Sequence, residues 1–194
     1  MLTRSLFALC LLLGGTIGWA AAPDAAKGCG DCHGEGGVST RPDAPTIAGM
    51  SDFYLDGQME AYQKGERPCA RGANDKTDMC EAAKAMSAAQ IKEVSAYYSG
   101  LKFVATKQTV DAALAAKGKS IHDARCELCH SEGGSVAADD AGILAGQHKA
   151  YLATTFKEFH EGKRKEPEKM KAKTSSLTDD DYKALAEFYA SGGK

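Results

Sequence analysis

Apolar residues recur at helical spacing, and the pattern occurs twice. Leu55, Met59 and Tyr62 stand at i, i+4 and i+7, as do Leu152, Phe156 and Phe159, so each set predicts the buried stripe of an amphipathic helix. Ile91, Val94 and Tyr98 predict a second helix, matched by Tyr182, Leu185 and Tyr189. Ser87-x-x-Gln90 and Thr178-x-x-Asp181 precede these two, and that pattern lets the hydroxyl and the later side chain cap each other's backbone N–H groups. A further helix is predicted from about Thr109 to His122, with a first-half counterpart cut to a turn or two. No alternating strand pattern occurs, and the predicted class is all-α.

The repeat has a definite register. A shift of 97 residues places Cys29 on Cys126, His33 on His130, Gly36-Gly37 on Gly133-Gly134, Ile47-Ala-Gly49 on Leu144-Ala-Gly146, Tyr54 on Tyr151 and Gly65 on Gly162. Further on the shift is 91, placing Met79 on Met170, Ser87 on Thr178 and Tyr97-Tyr98 on Phe188-Tyr189. The six extra residues of the first half fall between Arg67 and Met79. The repeat predicts two tandem domains, 21–104 and 105–194, each marginal in size for a core of its own.

Residues 1–20 stand outside the repeat. Arg4, the apolar run Leu6 to Leu13 and the small residues Gly18 and Ala20 read as an export signal cut after Ala20. The run is short for a membrane span, and Cys10 within it is read as a signal residue. The expected compartment is the periplasm, where disulfides persist and membrane association is at most peripheral. With 24 basic and 26 acidic residues, a net charge of -2 argues against non-specific nucleic-acid binding. With 43% apolar residues the chain is not disordered by composition.

Of seven cysteines, four lie in Cys29-Gly-Asp-Cys32-His33 and Cys126-Glu-Leu-Cys129-His130. In C-x-x-C-H one turn carries two thiols that can each add to a haem vinyl group, and the adjacent His reaches the iron. A redox dithiol or half a zinc site are the rival readings, but neither requires a His after both pairs. The motifs therefore predict two covalently attached haem c groups, with His33 and His130 as proximal ligands.

Met170 is the sole Met after His130, and Met79 is its repeat mate. These two are the candidate sixth ligands, with core packing as their alternative role. Met50, Met59 and Met86 fall opposite Gln147, Phe156 and Leu177, so Met59 and Met86 read as core. His122, His148 and His160 are rival ligands in the second half, whereas the first half holds only His33. Cys69 and Cys80 read as a disulfide stapling the inserted loop, worth roughly 2–3 kcal/mol, or else Cys80 is a thiolate ligand to iron. A buried macrocycle would supply each domain's missing apolar centre, so haem-free protein is expected to be largely unfolded.

With these residues the chain resembles a dihaem class I cytochrome c of the cytochrome c4 group. The resemblance implies one haem wrapped per domain and two domains related by a pseudo-twofold axis. Pro45-Thr-Ile-Ala-Gly49 matches a segment in which the Pro carbonyl orients the proximal His, so Pro45 would serve His33. Gly142 replaces it in the second half. Ile121-His-Asp-Ala-Arg-Cys126, Glu132-Gly-Gly and Ile143-Leu-Ala-Gly-Gln147 are similar to the dihaem subunit of flavocytochrome c sulfide dehydrogenase. That similarity implies electron transfer from a flavoprotein (FAD) subunit to a cytochrome or oxidase, this chain being non-catalytic. A free-standing carrier is the alternative, and a dihaem peroxidase or thiosulfate-oxidising enzyme would need an open iron. Lys163-Arg164-Lys165 with Lys169, Lys171 and Lys173 around Met170 reads either as a ring steering an acidic partner or as a solvated loop partly neutralised by Glu161, Glu166 and Glu168.

Overall fold

The computed structural model describes residues 21–69 and 75–194. The export signal read from residues 1–20 lies outside the described residues. No strand occurs among the described residues, and none of their helices is long and apolar enough to cross a membrane.

In the first half a 3-10 turn, Asp24–Ala26, leads to α1 (Gly30–His33), which holds the first C-x-x-C-H motif. Then follow α2 (Asp52–Gln63), α3 (Met79–Lys84) and α4 (Ala88–Ser99). The second half begins with α5 (Ala112–Arg125), starting a turn later than the apolar spacing predicts because the Asp111 carboxylate caps Ala113 and Leu114. After the Cys126–His130 motif come the short turn α6 (Ser131–Gly134), α7 (Lys149–His160), α8 (Glu168–Thr174) and α9 (Asp179–Ala190). Both capping boxes form, at Ser87–Gln90 on α4 and Thr178–Asp181 on α9.

The halves differ in how much core they own. The second half packs Leu152, Phe156, Leu177, Tyr182, Leu185, Phe188 and Tyr189 into one buried cluster. In the first half the corresponding cluster has only Ala26, Val94 and Tyr98 fully buried, with Ile47, Leu55 and Met86 at its margin. The asymmetry follows from chain length before the motif: α5 lies along α9, whereas ahead of the first motif only the 3-10 turn reaches α4.

The α5–α9 contact depends on Gly118. A Cβ there would sit 2.1 Å from the Ala184 carbonyl oxygen and 2.7 Å from the Phe188 Cβ. Gly118→Ala gains roughly 1 kcal/mol of helix propensity, but prying the helices apart costs about 1–3 kcal/mol. The variant is therefore expected to be less stable in denaturant titrations followed by circular dichroism, and an unchanged or higher midpoint would refute this close-packing account.

The two halves are sewn together by hydrogen bonds, those of Gln147 and His148 between buried groups. The Gln147 side chain pairs with the Thr46 backbone, accepting from its N–H at 3.0 Å and donating to its carbonyl at 2.7 Å. His148 Nε2 lies 2.9 Å from the Ser39 carbonyl, and Lys165 N–H donates to the Glu66 carbonyl at 2.7 Å. Such buried groups are tolerated because each finds its partner across the boundary.

Candidate haem crevices

The first half encloses a partly open, mainly apolar cavity of ≈ 860 Å³, lined by Cys29, Cys32, His33, Pro45 and Met79 among others. The volume is within the usual range for small-molecule and cofactor sites. None of the four motif thiols is in a disulfide: Cys29, Cys32 and Cys126 are half-buried, and Cys129 is exposed. The first motif closes as a single turn, with the His33 N–H donating to the Cys29 carbonyl at 2.9 Å, and the second repeats this from His130 to Cys126.

His33 Nδ1 lies 2.9 Å from the Pro45 carbonyl oxygen. An Nδ1–H held there leaves Nε2 as the free donor, the tautomer a metal-ligating imidazole needs. Burial lowers the pKa of His33 and of His130, which favours the neutral form of both rings. His130 Nδ1, by contrast, is buried without a hydrogen-bond partner. Gly142 sits at φ 77°, a conformation closed to proline, and the Tyr54 ring lies where a Gly142 side chain would be. The loss of the Pro45 equivalent is thus linked to the packing of Tyr54 against the second half.

Met79 opens α3 and faces the first cavity, as do Met50, Met59 and Met86. Of these, Met79 alone has a methionine as its repeat mate. Met170 is half-buried on α8. The end of α8 is held against the second motif by Arg125, which donates to the Lys173 carbonyl at 3.2 Å and to Ser176 Oγ at 2.6 Å.

The three rival histidines are engaged elsewhere. His122 is fully buried with Nδ1 2.9 Å from the Tyr189 hydroxyl and Nε2 2.5 Å from the Glu127 carboxylate. His148 faces Ser39 across the domain boundary, and His160 lies 3.5 Å from the Asp179 carboxylate. Cys69 and Cys80 form a disulfide, Cα to Cα 5.8 Å, which uses the sulfur that a thiolate ligand would need.

Sequence reasoning passed over a set of residues at the seam. Arg67 and Arg164 are each 7% exposed. Arg67 stacks over Tyr62 at 4.7 Å and Arg164 over Phe159 at 4.4 Å. Gln58 Oε1 accepts from both, at 2.9 Å from Arg67 and 2.6 Å from Arg164, while the Tyr151 hydroxyl accepts from Arg67 at 3.2 Å. Burial opposes charge on Arg67, but the oxygens of Tyr151, Tyr62 and Tyr54 hold its pKa above the ordinary value. Glu158 is the nearby carboxylate, and burial raises its pKa. Among the described residues, Arg67 Nε and Arg164 Nη1 find no hydrogen-bond partner though buried.

Two buried cations with spare donors, beside a cavity that Arg67 and Tyr151 help to line, fit a cofactor that carries its own acid groups. The signal for them was in the repeat, since the 97-residue register still places Arg67 on Arg164. The lysine run also divides differently from the sequence expectation. Arg164 is buried, Lys163 pairs with Glu161 at 2.7 Å and Lys165 with Glu66 at 2.6 Å, while Lys169, Lys171 and Lys173 stay exposed.

The family described as cytochrome C oxidase, cbb3-type, subunit III matches residues 113–188. Cytochrome c4 of Stutzerimonas stutzeri is 31% identical, covering 96% of this chain and 98% of that protein. A thiosulfate dehydrogenase electron acceptor from Thiomonas intermedia is 32% identical over 75% of this chain and 69% of its own length. Among solved structures, reduced cytochrome c4 from Pseudomonas stutzeri superposes with a TM-score of 0.70 at 26% identity, covering 85% of this chain and 93% of its own. With a fold of this kind and 31% identity to a named relative along nearly the whole of both chains, the chain belongs to the cytochrome c4 family, dihaem class I cytochromes c that bind two haem c groups covalently.

Proposed function

We propose that this protein is a free-standing periplasmic electron carrier, with both irons closed by side chains of the chain itself. Haem supplies one-electron exchange between ferric and ferrous iron. In this reading Cys29, Cys32, Cys126 and Cys129 anchor the two groups, and His33 and His130 are their proximal ligands. Met79 and Met170 fill the sixth positions, while Arg67 and Arg164 would hold the acid groups. Domains 21–104 and 105–194 each take one haem, and residues 1–20 direct export.

The observation that carries the reading is the first crevice, where His33, with Pro45 behind it, and Met79 line one cavity with both anchoring thiols. A carrier needs closed irons, and a soft thioether favours the reduced state. The relatives named cytochrome c4 support a carrier over the flavoprotein-bound sulfide dehydrogenase subunit, which rests on second-half resemblance alone. A second reading has its own support: relatives named as thiosulfate dehydrogenase electron acceptors favour a thiosulfate-oxidising enzyme as the donor. Native mass spectrometry of the protein from its source separates these cases. The carrier appears as a lone dihaem chain, whereas a co-purifying flavin chain would replace it with the subunit reading.

Spectroelectrochemical titration of the holoprotein should give two reversible one-electron steps, with neither iron binding carbon monoxide or turning over peroxide. Met79→Ala and Met170→Ala are each expected to lower one step by on the order of 0.1–0.2 V, part of the wide span that axial ligands set. Each should also abolish one sulfur-to-ferric-iron charge-transfer band. Carbon monoxide binding to the unmodified protein would mean an open iron and sink the closed-carrier reading.

A further inference from the structure

Arg67 and Met79 stand twelve positions apart, whereas their counterparts Arg164 and Met170 stand six apart. The Cys69–Cys80 bond cancels the difference. Cys69 lies two residues past Arg67 and Cys80 directly follows Met79, so the covalent path across the sulfurs runs through Pro68, Cys69 and Cys80 alone. The second half has its short path in the chain itself, and no cysteine beyond Cys129.

The two ends of α3 are held by different means. At its back, Gln63 Nε2 donates to the Ala83 carbonyl at 2.8 Å and to the Met86 carbonyl at 3.1 Å, and Ala83 is fully buried. At its front, Met79 opens the helix on the cavity wall, and the next residue, Cys80, is bound to Cys69, which lines the same cavity. Cys69 follows closely on Arg67, which is fixed by its stack over Tyr62 and its hydrogen bond to Gln58. Upstream of the helix, Arg41 pairs with Asp75 at 2.6 Å. Cutting the disulfide leaves the Gln63 and Arg41 ties in place, so it frees the first turn of α3 without dissolving the domain. Both cysteines are half-buried rather than enclosed.

We infer that the Cys69–Cys80 bond is a thiol-operated switch on the first haem's sixth ligand, holding Met79 in place when oxidised and releasing it when reduced. This rests on the carrier reading, with Met79 as ligand. The reductant is a protein dithiol: one of its thiolates attacks a sulfur of the bond to form a mixed disulfide, and its second thiol resolves that intermediate. Two electrons and two protons pass to Cys69 and Cys80, and the dithiol leaves as a disulfide. The haem attachments are carbon–sulfur bonds and take no part. With the front of α3 freed, Met79 leaves the iron and a position opens for a small ligand. The first haem's potential falls, because a thioether ligand favours ferrous iron. The second haem, whose Met170 sits on a helix without such a staple, keeps its potential.

The test treats the holoprotein with reduced thioredoxin as the dithiol and then with iodoacetamide, mass spectrometry confirming alkylation at Cys69 and Cys80. The sulfur-to-ferric-iron charge-transfer absorbance should fall by about half, since one of two thioether ligands is lost. One of the two potentials should drop to the value found in Met79→Ala, and one carbon monoxide should bind per ferrous chain. The combined Cys69→Ser, Cys80→Ser variant should show all three changes without reductant, and thioredoxin should add nothing to them. A staple that only stabilises the fold would lower the denaturation midpoint while leaving the band, both potentials and carbon monoxide binding as they were, and that result overturns the switch. So would a bond that thioredoxin fails to cut, or loss of first-half helix in circular dichroism on cutting it. A thiolate-type spectrum before alkylation would put Cys80 on the iron and overturn the open state. Carbon monoxide binding to the untreated, oxidised protein is a different failure: it removes the closed-carrier reading itself, and the switch with it.

Discussion

Replacing Cys29 and Cys32 together by alanine is expected to unfold the first half while α5, α7 and α9 stay protected. The two domains share a plan but not a core. With nothing in the first crevice, its ≈ 860 Å³ would have to stay open beneath a buried cluster of three small or aromatic residues. At the cost measured for core cavities, a void of this size would forfeit about 20 kcal/mol. Even a quarter of that, about 5 kcal/mol, matches the whole stability of a small domain. The second half has Phe156, Phe188, Tyr189 and the α5–α9 contact to fall back on. The sequence leads to an apo-protein that is largely unfolded throughout, and the structure restricts that expectation to residues before about the domain boundary. Hydrogen exchange read by mass spectrometry checks it: equal protection of the α2–α4 peptides and the α9 peptides would refute the account.

Arg67→Met is expected to lower the first haem's potential while leaving the holoprotein's fold intact. A buried cation whose hydrogen bonds, among the described residues, go to the neutral Gln58 and Tyr151 is costly in isolation. It becomes favourable when the acid groups of the cofactor answer it. A unit charge felt through an effective dielectric of ~20 contributes roughly 1–2 kcal/mol at such range, or on the order of 50–100 mV for one electron. Methionine keeps most of the volume over the Tyr62 ring, so packing changes little. Paired measurements on the holoprotein separate the causes: potentiometry of both haems and denaturant melts. A destabilised holoprotein whose two potentials are unchanged would make Arg67 a structural residue with no bearing on the cofactor.

Much of this architecture was legible because the chain states it twice. The helix stripes, the two capping boxes and the attachment motifs each occur at one register, and local chemistry alone decides them. Pro45 is a backbone acceptor, so its contact with His33 is visible only through family resemblance. The seam was harder to read. Arg67 and Arg164 look like surface cations in sequence, since nothing local announces that Tyr62 and Phe159 lie beneath them. Gln147 reads as a mere departure from Met50, yet its amide replaces a stretch of backbone pairing with Thr46. Long-range partners of this sort are set by how two helical units meet, which periodicity within either unit does not encode.

The Cys69–Cys80 disulfide has a consequence for how the chain matures. The first half carries four thiols, and four cysteines admit three pairings, of which one closes Cys29 on Cys32. An environment oxidising enough to staple the loop is oxidising enough to lock the attachment turn shut. The newly made first half therefore faces opposite demands at two sites: one pair has to lose its hydrogens and the other has to keep them until the vinyl groups arrive. Replacing Cys69 and Cys80 would relieve that conflict, trading a stapled loop for a first half whose one remaining dithiol, like that of the second half, has only to stay reduced.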